Sequence, residues 1–240
     1  MTHWLTALRS RLGLWKARAL AWPPVGTVRF GSFVRTQPIS TRFGLDRGGA
    51  LDRVYIEQFL GTHAIDVRGR VLEFGDDGYT RAFGGDRVTH SDVVHPSPGH
   101  PGASLCGDLR TGAGFPSAGF DCVVCTQVLQ FVFELDAALA TLRRSLAPGG
   151  VLLGTVPAVS MQSPTDAEQF GEYWRFTSGG VRALLQRHFP KDRIEVVAFG
   201  NVLAATAFLH GLGRGEVTEA QLAVRDPAYE VVVGFRTIAD

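Results

Sequence analysis

The side chains best suited to chemistry are a few acids and glycines, each following a short apolar run. Glu73-Phe74-Gly75-Asp76-Asp77-Gly78-Tyr79-Thr80 follows the first run, Asp92 closes the second, Gly107-Asp108-Leu109 ends the third and Thr126-Gln127 the fourth. Gly75 can turn the backbone tightly enough for amides to approach a ligand. Asp92 stands 19 residues after Glu73, close to the spacing at which an acid accepts hydrogen bonds from both hydroxyls of a ribose. Asp108 could accept from an adenine amino group while a neighbouring backbone amide donates to the ring. Each of these features is weak alone. In this order they are the parts of an adenosine reader.

The elements that must carry them follow from periodicity. Short apolar runs at Arg70–Phe74, Arg87–His90, Ala103–Cys106, Phe120–Thr126, Gly150–Val156, Arg193–Ala198 and Tyr229–Phe235 read as strands. Helical patterns at Leu51–Leu60, Leu135–Leu146 and Ser178–Phe189 fall before or between them. This alternation predicts a Rossmann-like α/β domain whose mostly parallel seven-stranded sheet is covered by helices on both faces. Ligands of such sheets sit outside the carboxyl ends of the strands, where the acids above are expected. Ala147-Pro148-Gly149-Gly150 reads as a helix stop feeding the next strand. Cys122 and Cys125, three apart in a strand, point to opposite faces and cannot share a metal; no metal site is expected.

The chain of 240 residues is long enough for one sizeable core, and its 45% hydrophobic and 20% charged residues are ordinary for a globular protein. A net charge of +1 gives no sign of a nucleic-acid partner. Charge is nevertheless unevenly spread. Residues 1–45 hold Arg9, Arg11, Lys16, Arg18, Arg29, Arg35 and Arg42 and no acid. Within them Trp4, Leu8, Leu12, Trp15, Ala19 and Trp22 recur at helical spacing, so a basic amphipathic helix is expected, stopped at Pro23-Pro24. Such a helix can dock on its own domain, a partner protein, a second copy of the chain or an anionic membrane. The division read from the sequence is a helix and connector over 1–45 and a catalytic domain over 46–240. No run is long enough to span a bilayer and no secretory h-region forms, so a cytoplasmic protein is expected.

These motifs resemble the class I S-adenosylmethionine (SAM)-dependent methyltransferases. The resemblance rests on Val71-Leu72-Glu73-Phe74-Gly75, Ser91-Asp92, Gly107-Asp108-Leu109, Phe120-Asp121-Cys122-Val123-Val124 and Leu146-Ala147-Pro148-Gly149-Gly150-Val151-Leu152-Leu153. Glu172-Tyr173-Trp174-Arg175-Phe176-Thr177 and Phe43-Gly44-Leu45-Asp46-Arg47-Gly48 are similar to a bacterial subgroup associated with glycosyltransferases and sugar-bearing products. Two departures stand out. Asp77 and Tyr79 occupy the second and third glycine positions of the family's E-x-G-x-G-x-G loop, and Phe131 stands where many relatives carry histidine. The helix after that loop is expected to be short, because Gly84-Gly85 follows soon.

The resemblance implies methyl transfer from a sulfonium to a nucleophile, needing orientation more than it needs a metal. It implies donor contacts from Glu73, Gly75, Tyr79, Thr80, Asp92, Asp108, Leu109, Thr126 and Gln127, with Tyr55 and Arg47 closing over the donor's methionine part and Arg47 pairing its carboxylate. His95 and Tyr173 are the candidates for a base, and Arg175 for a substrate-capping role. The expected acceptor is a hydroxyl or amine of a small molecule, a sugar or glycosylated natural product. One competing reading is a protein of this fold without methyl transfer, serving as a SAM-binding or partner subunit. A nicotinamide oxidoreductase is disfavoured by the absence of G-x-G-x-x-G after the first strand.

Overall fold

The computed structural model describes residues 20–25 and 27–240. The chain forms two compact units, 1–37 and 38–240. Within the described part of the first, Gly31–Val34 is a short 3-10 turn. The expected amphipathic helix, and the homodimer or partner contact it suggests, lie in residues outside those described, apart from its last few positions. Residues 38–45, read from the sequence as connector, pack within the larger unit: the Ile39 and Ser40 amides both donate to the His210 carbonyl.

The larger unit is built on seven strands: β1 (Gly69–Phe74), β2 (Val88–His95), β3 (Leu105–Cys106), β4 (Phe120–Thr126), β5 (Leu146–Pro157), β6 (Ile194–Phe199) and β7 (Val232–Ile238). Their order is β3-β2-β1-β4-β5-β7-β6, parallel throughout except for β7, which runs antiparallel between β5 and β6. Six helices accompany them: α1 (Asp52–Thr62), α2 (Leu135–Ser145), α3 (Pro164–Phe170), α4 (Ser178–Leu185), α5 (Val202–Leu209) and α6 (Glu219–Ala223).

Alternation along each strand sorts the core into two layers. Val123 and Cys125 of β4 face α2 and α4 with Leu139, Leu142, Val181 and Leu185. Cys122 and Val124 face α1 and α5 with Tyr55, Ile56, Phe59 and Phe208. The two cysteines therefore lie on opposite faces, and burial alone pushes the Cys125 thiol up to about 12. A sheet buried on both sides explains why its strands read as apolar runs rather than alternating ones.

Several boundaries depart from the sequence reading, among them β7 at Val232–Ile238, α4 ending at Leu185, and two next to the strand ends. β5 begins at Leu146, directly after α2, because Leu146 already pairs with Phe120 before the register shifts at Cys122. β2 continues to His95, well past the expected end at Asp92. Thr89, His90 and Ser91 are exposed, and the buried part of the strand, Asp92, Val93 and Val94, falls largely beyond the expected end. Between β1 and β2 the connecting helix shrinks to a π-type turn, Thr80–Gly84, and a 3-10 turn, Gly85–Arg87. Gly84 ends the π-type turn under Val88, whose side chain an added Cβ would overlap.

Candidate functional site

A cavity of about 840 Å³ opens at the carboxyl ends of the parallel strands. Its floor is Phe74 and Gly75 after β1, Val94 and His95 at the end of β2, Gly107–Arg110 after β3, and Thr126–Val128 after β4. Its outer wall is Phe131, Val132, Phe133 and Glu134 ahead of α2, with Gln169, Phe170 and Tyr173 from α3 and the segment after it.

The β1 loop is organised by one carboxylate. Gly75 has φ +86, and its missing Cβ would meet nothing within 4 Å, so the loop is open above it. Glu73 is buried and turns inward, accepting from the Thr80 amide at 2.7 Å and the Tyr79 amide at 3.2 Å. Burial raises its carboxyl above the ordinary value of 4.5, while those hydrogen bonds pull the other way. Asp76 accepts from the Gly78 amide at 2.8 Å, and the Gly75 amide donates to Val94 O at 3.1 Å. The amides of Gly75, Gly78, Tyr79 and Thr80 are thus spent within the chain, two of them on a buried anion. A pyrophosphate needs free amides and no competing carboxylate at this position. The loop fits a donor without phosphates and not a dinucleotide.

The side chains at the glycine-replaced positions turn away from the cavity. Asp77 pairs with Arg81, and the Tyr79 hydroxyl accepts from Arg53 Nη1 at 2.9 Å. Thr80 is buried beneath the loop.

Of the side chains singled out in the sequence, Gly75, His95, Asp108, Leu109, Thr126, Gln127 and Tyr173 come together around the cavity. The rest do not line it. Arg47 is held by Glu216 through a bidentate pair, with 2.8 Å from Nε to Oε2. That pairing lowers the Glu216 carboxyl to about 2. Tyr55 is in the core, its ring 5.7 Å from Phe199 and its hydroxyl pushed up to about 12 by burial. Arg175 is tied to the Met161 carbonyl at 2.7 Å and to Glu172 at 2.7 Å, which makes it a brace for its own loop.

Asp92 lies inside β2 opposite Leu72. Its Oδ2 accepts from Arg70 Nε at 2.7 Å and its Oδ1 from Ser104 Oγ at 2.9 Å. Burial works against its charge, yet these bonds hold the carboxyl below the ordinary 3.8. Asp92, the expected ribose acid, is thus buried with both oxygens engaged inside the chain.

Asp108 lines the cavity but is bound to Arg110 at 2.9 Å, and that contact lowers its carboxyl. Gln127 has φ +54, a left-handed conformation unusual for a side chain with Cβ. Its amide donates to Thr155 O at 2.8 Å, which anchors the turn that carries it over the end of β4.

The wall from Phe131 to Glu134, together with Gln169 and Phe170, carries no motif in the sequence. Its sequence signal was three aromatics, Phe131, Phe133 and Phe170, in loop or short-helix positions without a helical stripe to bury them. Phe133 remains 58% exposed and Tyr173 51% exposed, with ring centres 5.4 Å apart.

Comparisons with known proteins agree with this architecture. No curated protein matches the chain by sequence. Among solved structures, a Thermotoga maritima SAM-dependent methyltransferase, described as a possible histamine N-methyltransferase, is similar at 17% identity with TM-score 0.50, over 84% of this chain and 98% of that one. The [4+2]-cyclase SpnF is similar at 15% identity with TM-score 0.51, over 83% and 85% of the two chains. These likenesses carry the fold. The family profile described as "Methyltransferase domain" matches residues 49–195, more than half of the chain. The chain belongs to that family, the class I SAM-dependent methyltransferases.

Proposed function

We propose that the protein transfers a methyl group from SAM to a hydroxyl or amine of a small molecule, with a sugar or glycosylated natural product as the acceptor class. The observation that carries this reading is a single cavity shared by adenosine-sized floor features and a separate aromatic wall. Ligand sites commonly occupy roughly 300–1,000 Å³, and this one, at about 840 Å³, leaves room for donor and acceptor together.

SAM, when bound, supplies a methyl group on a sulfonium, ready for in-line displacement by the acceptor. The chain's own part is to bind, orient and exclude water. Gly75, Leu109, Thr126 and Gln127 form the floor, and Asp108 would take the adenine amino group by sharing a carboxylate that Arg110 already holds. Opposite them Phe131, Phe170 and Tyr173 offer ring faces on which the apolar side of a sugar can lie. Glu134 and Gln169 supply polar groups for its hydroxyls. Glu134 and Tyr173 are the side chains of this wall that could take up a proton from a hydroxyl acceptor; a neutral amine needs less help. The sugar preference leans on the resemblance of the Glu172–Thr177 segment to glycosyltransferase-associated relatives.

The test is calorimetric titration with S-adenosylhomocysteine (SAH), followed by incubation with SAM and a panel of glycosides and aminosugars. The expected result is saturable SAH binding and a product heavier by one methylene. SAH binding without product across glycosides, amines and phenols would favour a SAM-binding partner subunit. No SAH binding at millimolar ligand would overturn the donor site.

A further inference from the structure

β2 delivers His95, and not Asp92, to the cavity. In the parallel pairing Leu72 stands opposite Asp92 and Phe74 opposite Val94. The Gly75 amide then reaches back to Val94 O at 3.1 Å. The next residue of β2, His95, therefore stands at the rim beside Gly75 and lines the cavity. Side chains alternate along a strand, so an acid three residues earlier lies both deeper and on the opposite face. Both Asp92 oxygens are already engaged by Arg70 and Ser104.

The chemistry of the imidazole edge is fixed by its neighbours. The Ser97 amide donates to His95 Nδ1 at 3.0 Å. A neutral ring that accepts at Nδ1 carries its proton on Nε2, so Nε2–H is its unspent polar group and it is a donor. The ring is also held in place. It stacks on His100 with centres 3.7 Å apart and planes 17° apart, and it meets Phe170 edge-on at 6.2 Å. This tautomer has no lone pair at Nε2 with which to remove a proton, so it does not suit the base role the sequence suggested for His95.

We infer that His95 reads the donor's ribose, giving its Nε2–H to a ribose hydroxyl oxygen where an acid at this rim would accept from the hydroxyls. The inference rests on the SAM reading above and assigns which side chain holds the sugar of that donor. It reassigns two residues: Asp92 braces the strand, and His95 meets the ribose. A donor at this position needs only an oxygen on the ribose, whereas a carboxylate needs its hydrogen.

The test titrates the full chain with SAH and with its 2′-deoxy and 3′-deoxy forms, for the unaltered protein and for His95→Ala, His95→Gln and Asp92→Asn. The unaltered chain is expected to prefer SAH over at least one deoxy form. His95→Ala is expected to weaken SAH roughly three- to tenfold, the size of one net hydrogen bond, and to erase that preference. His95→Gln, which keeps an N–H at similar reach, is expected to restore part of both. Asp92→Asn is expected to keep SAH affinity and the deoxy preference. Circular dichroism on each variant separates loss of contact from loss of fold. SAH binding by the unaltered chain together with an undiminished deoxy preference in His95→Ala and His95→Gln would overturn the inference and leave the donor site standing. Failure of the unaltered chain to bind SAH would overturn both.

Discussion

The ends of β1 and β2 each carry a buried carboxylate, and the two do opposite things. Glu73 lies near the end of β1 and turns inward to gather the Tyr79 and Thr80 amides. Asp92 lies three residues short of the end of β2 and braces the strand through Arg70 and Ser104. The cause of the difference is between them. The connection is two short turns, Thr80–Gly84 and Gly85–Arg87, and β2 then runs eight residues, Val88–His95. Residue counting from Glu73 then names Asp92 while the register brings His95 to the rim. Distance in sequence measures position on a sheet only when connection and strand together have their usual length, and here β2 runs three residues past Asp92.

The strongest way to break this comparison is Glu73→Ala. It removes the acceptor of two amides in a loop that buries them, and a hydrogen bond to a charged group contributes about 1.5–3 kcal/mol. A loss of about 2–4 kcal/mol in urea unfolding is expected, partly offset because the buried charge itself is costly. SAH affinity should fall with it, since the Gly75 turn hangs on that loop. Retention of both would mean that the loop is organised by its backbone alone.

Gly84→Ala addresses the connection rather than the acids. Its Cβ would overlap Val88 Cγ2 and meet Val67 Cγ1 at 3.0 Å. Overpacking of this kind costs about 1–3 kcal/mol, measurable as a lower midpoint in denaturant. An unchanged midpoint would show that β2 can shift to make room, and the register argument would lose its footing.

The fold was legible because its signals are local and repeated. β4 was delimited from its apolar run at both ends, and the antiparallel closing strand β7 overlaps its expected span. The cavity floor was legible for the same reason, since Gly75, Asp108, Thr126 and Gln127 directly follow strands. What was not legible depends on register and on long-range partners. Arg47 looks free until Glu216, far along the chain, takes its guanidinium. Tyr55 looks like a ligand contact until Phe199 packs against it. The aromatic wall is not legible because Phe131 and Phe133 sit in a stretch without periodicity, where only the cleft gives them a use.

Asp92→Asn sharpens the contrast at smaller amplitude. Arg70 is partly solvated, and asparagine still accepts from Ser104, so the loss at neutral pH should be about 1 kcal/mol. The pH dependences should run in opposite directions. Asp92 has a lowered folded value, so its contribution is present above the ordinary 3.8 and is lost as pH falls through the folded value. Glu73 has a raised one, so the native state is favoured below 4.5 and loses that advantage as pH rises toward the folded value. In acid unfolding, the gap between unaltered protein and Asp92→Asn should close below 3.8. Against Glu73→Gln, the gap should instead narrow as pH climbs above 4.5. Parallel curves would mean that the two carboxylates share one environment, contrary to their partners.

The smallest effect is expected from Arg47→Ala, and it tests whether the donor site extends beyond the strand ends at all. The resemblance implies that Arg47 pairs the donor's carboxylate, but its Nε and Nη2 are both committed to Glu216. The Glu216 carboxylate accepts a further hydrogen bond from the Gly213 amide at 2.7 Å, so the pair fastens the 213–216 turn to the 45–47 turn. To serve a ligand, Arg47 would have to leave a partner whose own carboxyl it holds down near 2. Arg47→Ala should therefore leave SAH affinity within twofold while slightly lowering the melting temperature, a loss that added salt in the unaltered protein should partly reproduce. A tenfold loss of SAH affinity with the melting temperature unchanged would put Arg47 in the site after all, with Glu216 as the group it releases when the donor arrives.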